Sequence, residues 1–287
     1  MASSKATPQG GWDYVIRPER RWFDMDLRAI WAYRDLAFMY VKRNFVTLYK
    51  QTILGPMWFV VQPVMTIIIY MFIFGGLAGI STSGIPQPLF YMAGILLWNY
   101  FTDCFGASSN VFVTNAHVFG KVYFPRLIVP LSGLMSGLLK LGVQTMLFVA
   151  IYVWCRISNN DFSANWSLLL FPVLVGMTAF HGFSWGLLVS SLTYKYRDLQ
   201  LLIGFVIQLL MYATPVVYPL DAIPEKYTLI ISLNPLSPIF EAFKYGCFGT
   251  GVLSWGGLAY SMFFLLVTLV FSVLVFNRVE RHFMDCV

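Results

Sequence analysis

The stretch "MWFVVQPVMTIIIYMFIFGGL", residues 57–77, contains no Asp, Glu, Lys or Arg. At about 1.5 Å per helical residue it reaches about 30 Å, the thickness of the hydrocarbon core of a bilayer. A charge-free apolar run of this length reads as a transmembrane helix. Pro63 within it is no obstacle, because neighbouring groups in a membrane bundle satisfy the carbonyl that proline frees.

The same reading extends along the chain. Residues 168–192, 199–220 and 252–277 are also free of charge, while 89–112 and 127–154 are each interrupted once, by Asp103 and Lys140. Across 287 residues, 58% are hydrophobic and only 11% charged. Soluble domains carry about 25% charged residues. The expected fold is therefore an all-α integral membrane protein with six transmembrane helices.

Six spans place both termini on one side. Fifteen Lys and Arg then fall on that side, against Arg156, Lys226 and Lys244 on the other, with Lys140 inside span three. Cytoplasmic segments are enriched in Lys and Arg, so both termini are expected in the cytoplasm. The first fifty residues show no cleavable signal peptide. The net charge of +6 is then a topology signal, and no nucleic-acid partner is expected. Cys104, Cys155, Cys247 and Cys286 form no CxxC pair and the three histidines do not cluster, so no metal site is expected. Cys155 and Cys247 both fall on the outer side, and their pairing stays open.

The chain divides into a polar tail (1–23), an amphipathic interfacial helix (24–53) and a transmembrane domain (54–287). In the second segment Trp31, Phe38, Val41 and Phe45 share one arc at about 100° per residue, with Lys42 and Arg43 off it. Arg34 falls on the apolar stripe. Such a helix suits the cytoplasmic headgroup layer. Residues 221–251 are too polar and proline-rich to span, yet too apolar for a solvated loop. They read as two short re-entrant helices either side of Asn234-Pro235, before the last span.

The inner loop "NAHVFGKVYFPRLIVP" (115–130) contains a Gly120-Lys121 pair. A phosphate-binding P-loop needs a glycine five residues earlier and a Ser or Thr after the lysine. Asn115 and Val122 stand there, so that reading fails. In "YKYRDL" (194–199), Asp198 is placed to cap the start of span five. Asp103 and Lys140 either pair or leave Lys140 free to line a pathway; an ionisable group at this depth is costly and faces protein or water.

Four motifs in this order, "YKQTILGPMWFVVQP" (49–63), "GKVYFPRLIVPLS" (120–132), "YKYRDL" and "NPLSPIFEAFKYG" (234–246), resemble the permease subunit of ABC-2 type polysaccharide exporters. That family exports O-antigen, capsule and teichoic-acid polymers. The resemblance runs from about Trp22 to the C-terminus. It implies a homodimer in the bacterial inner (plasma) membrane that exports a lipid-linked polysaccharide such as O-antigen. Two copies of a separate ABC ATPase would bind ATP and Mg, so this chain itself needs no cofactor and is not an enzyme. An ABC-2 permease for a drug or small lipid is the alternative. A membrane enzyme would want clustered acidic or His residues, whereas the thirteen acidic residues here are scattered.

The resemblance also assigns roles. The segment 116–125 becomes a coupling helix docked on the ATPase, with His117, Val118, Phe119, Tyr123 and Phe124 as contacts and Lys121 and Arg126 as rim. From the residues alone, an interfacial loop with aromatics at headgroup level is the better account, and only the resemblance turns the reading to docking. Arg34, with Lys42 or Arg43, would gather a lipid pyrophosphate, since a guanidinium binds phosphate bidentately. Snorkelling toward the lipid phosphates is the other account of Arg34. Tyr70 and Phe74, spaced i, i+4, and Lys140 would line the glycan conduit.

Overall fold

The computed structural model describes residues 31–50, 52–119, 122, 124–158, 162–193, 198–251 and 253–286, less the side chains at 48, 49, 116, 225 and 280–286. The tail 1–23 and the start of the 24–53 helix lie outside the described residues.

Among the described residues every regular element is helical: α1 (Arg34–Tyr49), α2 (Trp58–Tyr70), α3 (Gln87–Ser109), α4 (Val111–Phe119), α5 (Ile128–Ile157), α6 (Phe171–Thr193), α7 (Leu199–Tyr212), α8 (Glu225–Leu233), α9 (Ser237–Phe248) and α10 (Trp255–Cys286). Gly55, at φ +51°, turns the chain into α2; the helix then widens into a π-turn over Met71–Leu77.

Four segments are long and apolar enough to cross a bilayer: Gly55–Leu77, Ile128–Ile157, Trp166–Thr193 and Trp255–Val279. The other two expected spans differ from these for separate reasons. Helix α3 has the length, but Gln87, Asn99 and Asp103 lower its apolarity. Its hydrophobic side chains from Leu89 to Leu97 are at most 3% exposed, so protein rather than lipid surrounds it. Helix α7 has 14 residues, about 21 Å against a core of about 30 Å.

Helix α3 is the axis of the protomer. It meets α6 at Gly182 and Gly186, where an added Cβ would come within 2.7 Å of the Phe101 carbonyl and 2.6 Å of the Phe105 carbonyl. Small residues one turn apart let two membrane helices approach at backbone distance. On its other flank α3 meets α5 through polar contacts. Lys140 Nζ donates to Asp103 Oδ1 at 2.9 Å, which resolves the open question in favour of a pair. One turn away, Asn99 Nδ2 donates to Gln144 Oε1 at 3.4 Å. Cys247 is a free, buried thiol and forms no bridge to Cys155.

Helix α1 lies along α5, with Asn44 Nδ2 3.5 Å from Ser136 Oγ. The face it buries is Tyr40, with Tyr33, Leu36 and Ala37 partly covered. The apolar stripe read from the sequence lies elsewhere on the helix: Trp31 and Phe38 are 70% and 58% exposed. The helix thus has a packing face and, beside it, a flank on which Trp31 and Phe38 are exposed while Val41 and Phe45 are half-buried.

Candidate functional site

The inner loop is braced from within. Span two was expected to run to Phe112 and the docking segment to start at 116. The chain instead turns at Asn110 and begins α4 at Val111. Phe112 stacks on Phe276 of α10 with ring centres 4.8 Å apart. Phe119 packs against Phe112 and Phe124, at 6.3 and 5.9 Å, and Phe124 lies 6.3 Å from Tyr40 of α1. The Arg126 guanidinium sits 5.1 Å over the Phe119 ring, a cation–π contact that is stronger where water is excluded.

These contacts divide the side chains of the loop by burial. Phe119, Phe124 and Arg126 are 3%, 6% and 4% exposed; they pack on one another, Phe124 carries the contact to Tyr40 of α1, and Phe112 carries the one to α10. Val118 is half-buried and His117 exposed. The outward face is instead Val113, Thr114, His117 and Val122, with Val113 and Val122 about half exposed. Lys121 and Tyr123 lie outside the described residues.

The three cations on α1 do not converge. Arg34 and Arg43 are nine residues apart, roughly 180° around a helix at about 100° per residue. Arg34 leans over Trp31 at 5.8 Å and lies 3.9 Å from Asp35. Arg43 covers the Tyr40 ring at 4.3 Å. Lys42 is exposed and lies roughly 80° from Arg34, two turns along.

Of the conduit residues, Tyr70 and Phe74 form an edge-to-face pair at 5.5 Å. Tyr70 also meets Tyr91 of α3 at 6.1 Å and donates to Met211 Sδ of α7 at 3.6 Å. Tyr70 thus ties three helices together. Lys140 is engaged by Asp103, with both side chains partly exposed.

One set of residues passed unnoticed in the sequence. Just past the C-terminal end of α7, Lys244 donates to the carbonyls of Pro215 (2.5 Å) and Tyr218 (3.3 Å) and lies 4.1 Å over the Phe90 ring. It is 3% exposed, and burial pushes its pKa down, opposed by Glu241. Glu241, one turn earlier, lies 3.9 Å from Lys244 Nζ, and its Oε1 has no hydrogen-bond partner. Burial raises its pKa, opposed by Lys244 and reinforced by Asp221. Both line a small cavity together with Ser83, Asp221 and Thr250. The available signal was two ionisable residues three apart in an otherwise apolar segment.

A helical bundle with four segments long and apolar enough to cross a bilayer, and a braced loop between α3 and α5, defines a multi-pass membrane protein. The chain belongs to the ABC-2 type transporter family, whose model matches residues 36–248. It is 28% identical to an O-antigen export system permease protein of Klebsiella pneumoniae, over 88% of this chain and 94% of that protein. It is 25% identical to a protein of the same description from Myxococcus xanthus, over 76% and 82%. A polysialic acid transport protein of Escherichia coli is 24% identical over 79% and 87%.

Proposed function

We propose that this chain is the permease subunit of an ABC transporter that exports a lipid-linked polysaccharide across the bacterial inner membrane. A second copy of the chain and two copies of a separate ATPase complete the machine. The observation that carries this reading is the likeness, along nearly the whole chain, to permeases of O-antigen export. The loop geometry supports the ATPase partner: a short helix braced by an internal aromatic cluster presents Val113, His117 and Val122 outward. Apolar groups ringed by polar ones suit a protein groove.

In this reading α3 and α7 join the four apolar segments to make six spans, with both termini in the cytoplasm. Helices α8 and α9 re-enter at the outer membrane edge. The exposed Tyr227, Leu229, Ile230 and Leu233 of α8 suit contact with lipid there. The test is affinity purification of the tagged chain from its host membrane. An ATPase and a lipid-linked glycan should co-purify, and depletion of the chain should leave that glycan on the inner leaflet. Co-purification of a small lipid without glycan would favour the drug or small-lipid alternative.

A further inference from the structure

We propose that the cavity lined by Glu241 and Asp221 is a binding site for one monovalent metal cation, of the size of sodium or potassium, taken from the aqueous phase. The proposal stands apart from the export reading, because it concerns what the fold binds and not what the chain carries.

Segments far apart in sequence build this cavity: the turn at Ser83, the start of α3 at Phe90, the turn that ends at Asp221, and α9 with the turn at Thr250 and Gly251 that follows it. Its volume is about 20 Å³, room for one water-sized particle. The Glu241 side chain on its wall is 8% exposed, and among the described residues its Oε1 meets no hydrogen-bond donor. Gly251 backs onto the other oxygen, since a Cβ there would come within 3.3 Å of Oε2.

Lys244 does not relieve this charge. Its Nζ stands 3.9 Å from Glu241 Oε1, beyond hydrogen-bond reach. The ammonium is drawn instead to the carbonyls of Pro215 and Tyr218 and to the face of Phe90. A buried carboxylate that lacks a donor is costly. Asp221 adds a second negative charge on the same cavity, and with burial it raises the affinity of Glu241 for a positive partner.

The charge count and the chemistry of the donors narrow the occupant. Two carboxylates against one ammonium leave one net negative charge, which a single monovalent ion neutralises. The side chains able to ligate are oxygen donors: the carboxylates of Glu241 and Asp221 and the hydroxyls of Ser83 and Thr250. Such sets hold hard cations, and no Cys or His is among the lining residues to favour a softer metal. A proton takes the same Glu241 oxygen, so the two compete and the hold on the cation weakens as pH falls.

The test is thermal unfolding of the full chain in nanodiscs at about pH 8, where free carboxyls are ionised. Sodium, potassium, calcium and choline chlorides are compared at one ionic strength, choline being too large for the cavity. The melting temperature should rise saturably with sodium or potassium relative to choline, and the rise should shrink as pH is lowered. Glu241→Gln should abolish it. Asp221→Asn should raise the half-effect concentration about tenfold, as expected for the loss of one charged contact. Asp221 is exposed, so that variant carries the test alone should Glu241→Gln fail to fold. Equal melting in sodium, potassium and choline overturns the proposal and leaves a water or a proton as the occupant. A rise unchanged in both variants overturns it too, as does a larger rise with calcium than with either monovalent ion. Cargo plays no part in the measurement, so its outcome is separate from the question of what the chain exports.

Discussion

The two single substitutions that break the Asp103–Lys140 pair should together cost more stability than the double substitution that removes it. Unit charges 2.9 Å apart attract by about 6 kcal/mol at an effective dielectric of about 20. That is an upper bound, since the side chains are 20% and 31% exposed and desolvation offsets much of the gain. An uncompensated lysine deep in a membrane helix costs at least about 2.5 kcal/mol. We therefore expect Asp103→Asn to lose about 2–3 kcal/mol, and Lys140→Met about 1–2 kcal/mol because a lone carboxyl can take up a proton. The double variant Asp103→Asn/Lys140→Met should fall short of the sum by about 1–2 kcal/mol. The assay is thermal unfolding of the nanodisc-embedded chain, followed through exposure of the Cys104 thiol, which is fully buried beside Asp103. Additivity within about 0.5 kcal/mol would refute the coupling. Export by the double variant then separates two roles. Normal export makes the pair structural, whereas a stable but export-dead variant places Lys140 in contact with cargo.

At the inner loop, Val113→Asp or Val122→Asp should weaken ATPase capture with melting unchanged, whereas Phe119→Ala should cost about 3–5 kcal/mol of stability; equal effects on melting would contradict the division into outward and bracing residues. Gly186→Val should push α6 away from α3 and sharply reduce folded yield, while Gly142→Ala, where a Cβ meets nothing within 4 Å, should be tolerated; tolerance of Gly186→Val would remove the close-approach argument. Glu241 has a raised folded pKa, so the folded chain holds a proton that the unfolded chain releases. Its contribution is complete below about pH 4.5 and is lost as pH rises through the folded value. The stability difference between wild type and Glu241→Gln should accordingly shift in favour of wild type as pH falls from 7, and a flat difference would contradict the assignment. On α1, Arg34→Ala should lose more glycan export than Arg34→Lys if the residue gathers pyrophosphate; full activity in both leaves it a membrane anchor.

The apolar segments were legible because a lipid-facing helix must exclude charge, and residues 57–77 do so without exception. Helix α3 was legible only as an interrupted run, because a helix clothed by protein is free to carry Asn99 and Asp103. The packing face of α1 was hidden for a related reason: Tyr40 and Asn44 do not look apolar, yet they meet Phe124 and, on α5, Ser136, while the conspicuous Trp31 and Phe38 are exposed. In the inner loop, the presence of aromatics was plain but their partners were not. Phe119 and Phe124 are spent on Phe112, Arg126 and Tyr40, contacts that span more than a hundred residues of sequence for Phe112 with Phe276. Asn234 and Lys244 bond to backbone carbonyls some twenty to thirty residues earlier, which no local pattern announces.

The protein cover around α3 has a consequence for how the chain is made. The least lipophilic of the long helices emerges from the ribosome before its closest companion, α6, has been synthesised. At about 5–20 residues per second, it waits for roughly ten seconds with the groove that receives Gly182 and Gly186 uncovered. During that interval it is poorly suited to partition into lipid alone, so the insertion machinery or a chaperone within the membrane must retain it until Gly182 and Gly186 arrive. Chains truncated between α5 and α6 should for this reason be preferred substrates of membrane proteases, even though every segment already synthesised is intact.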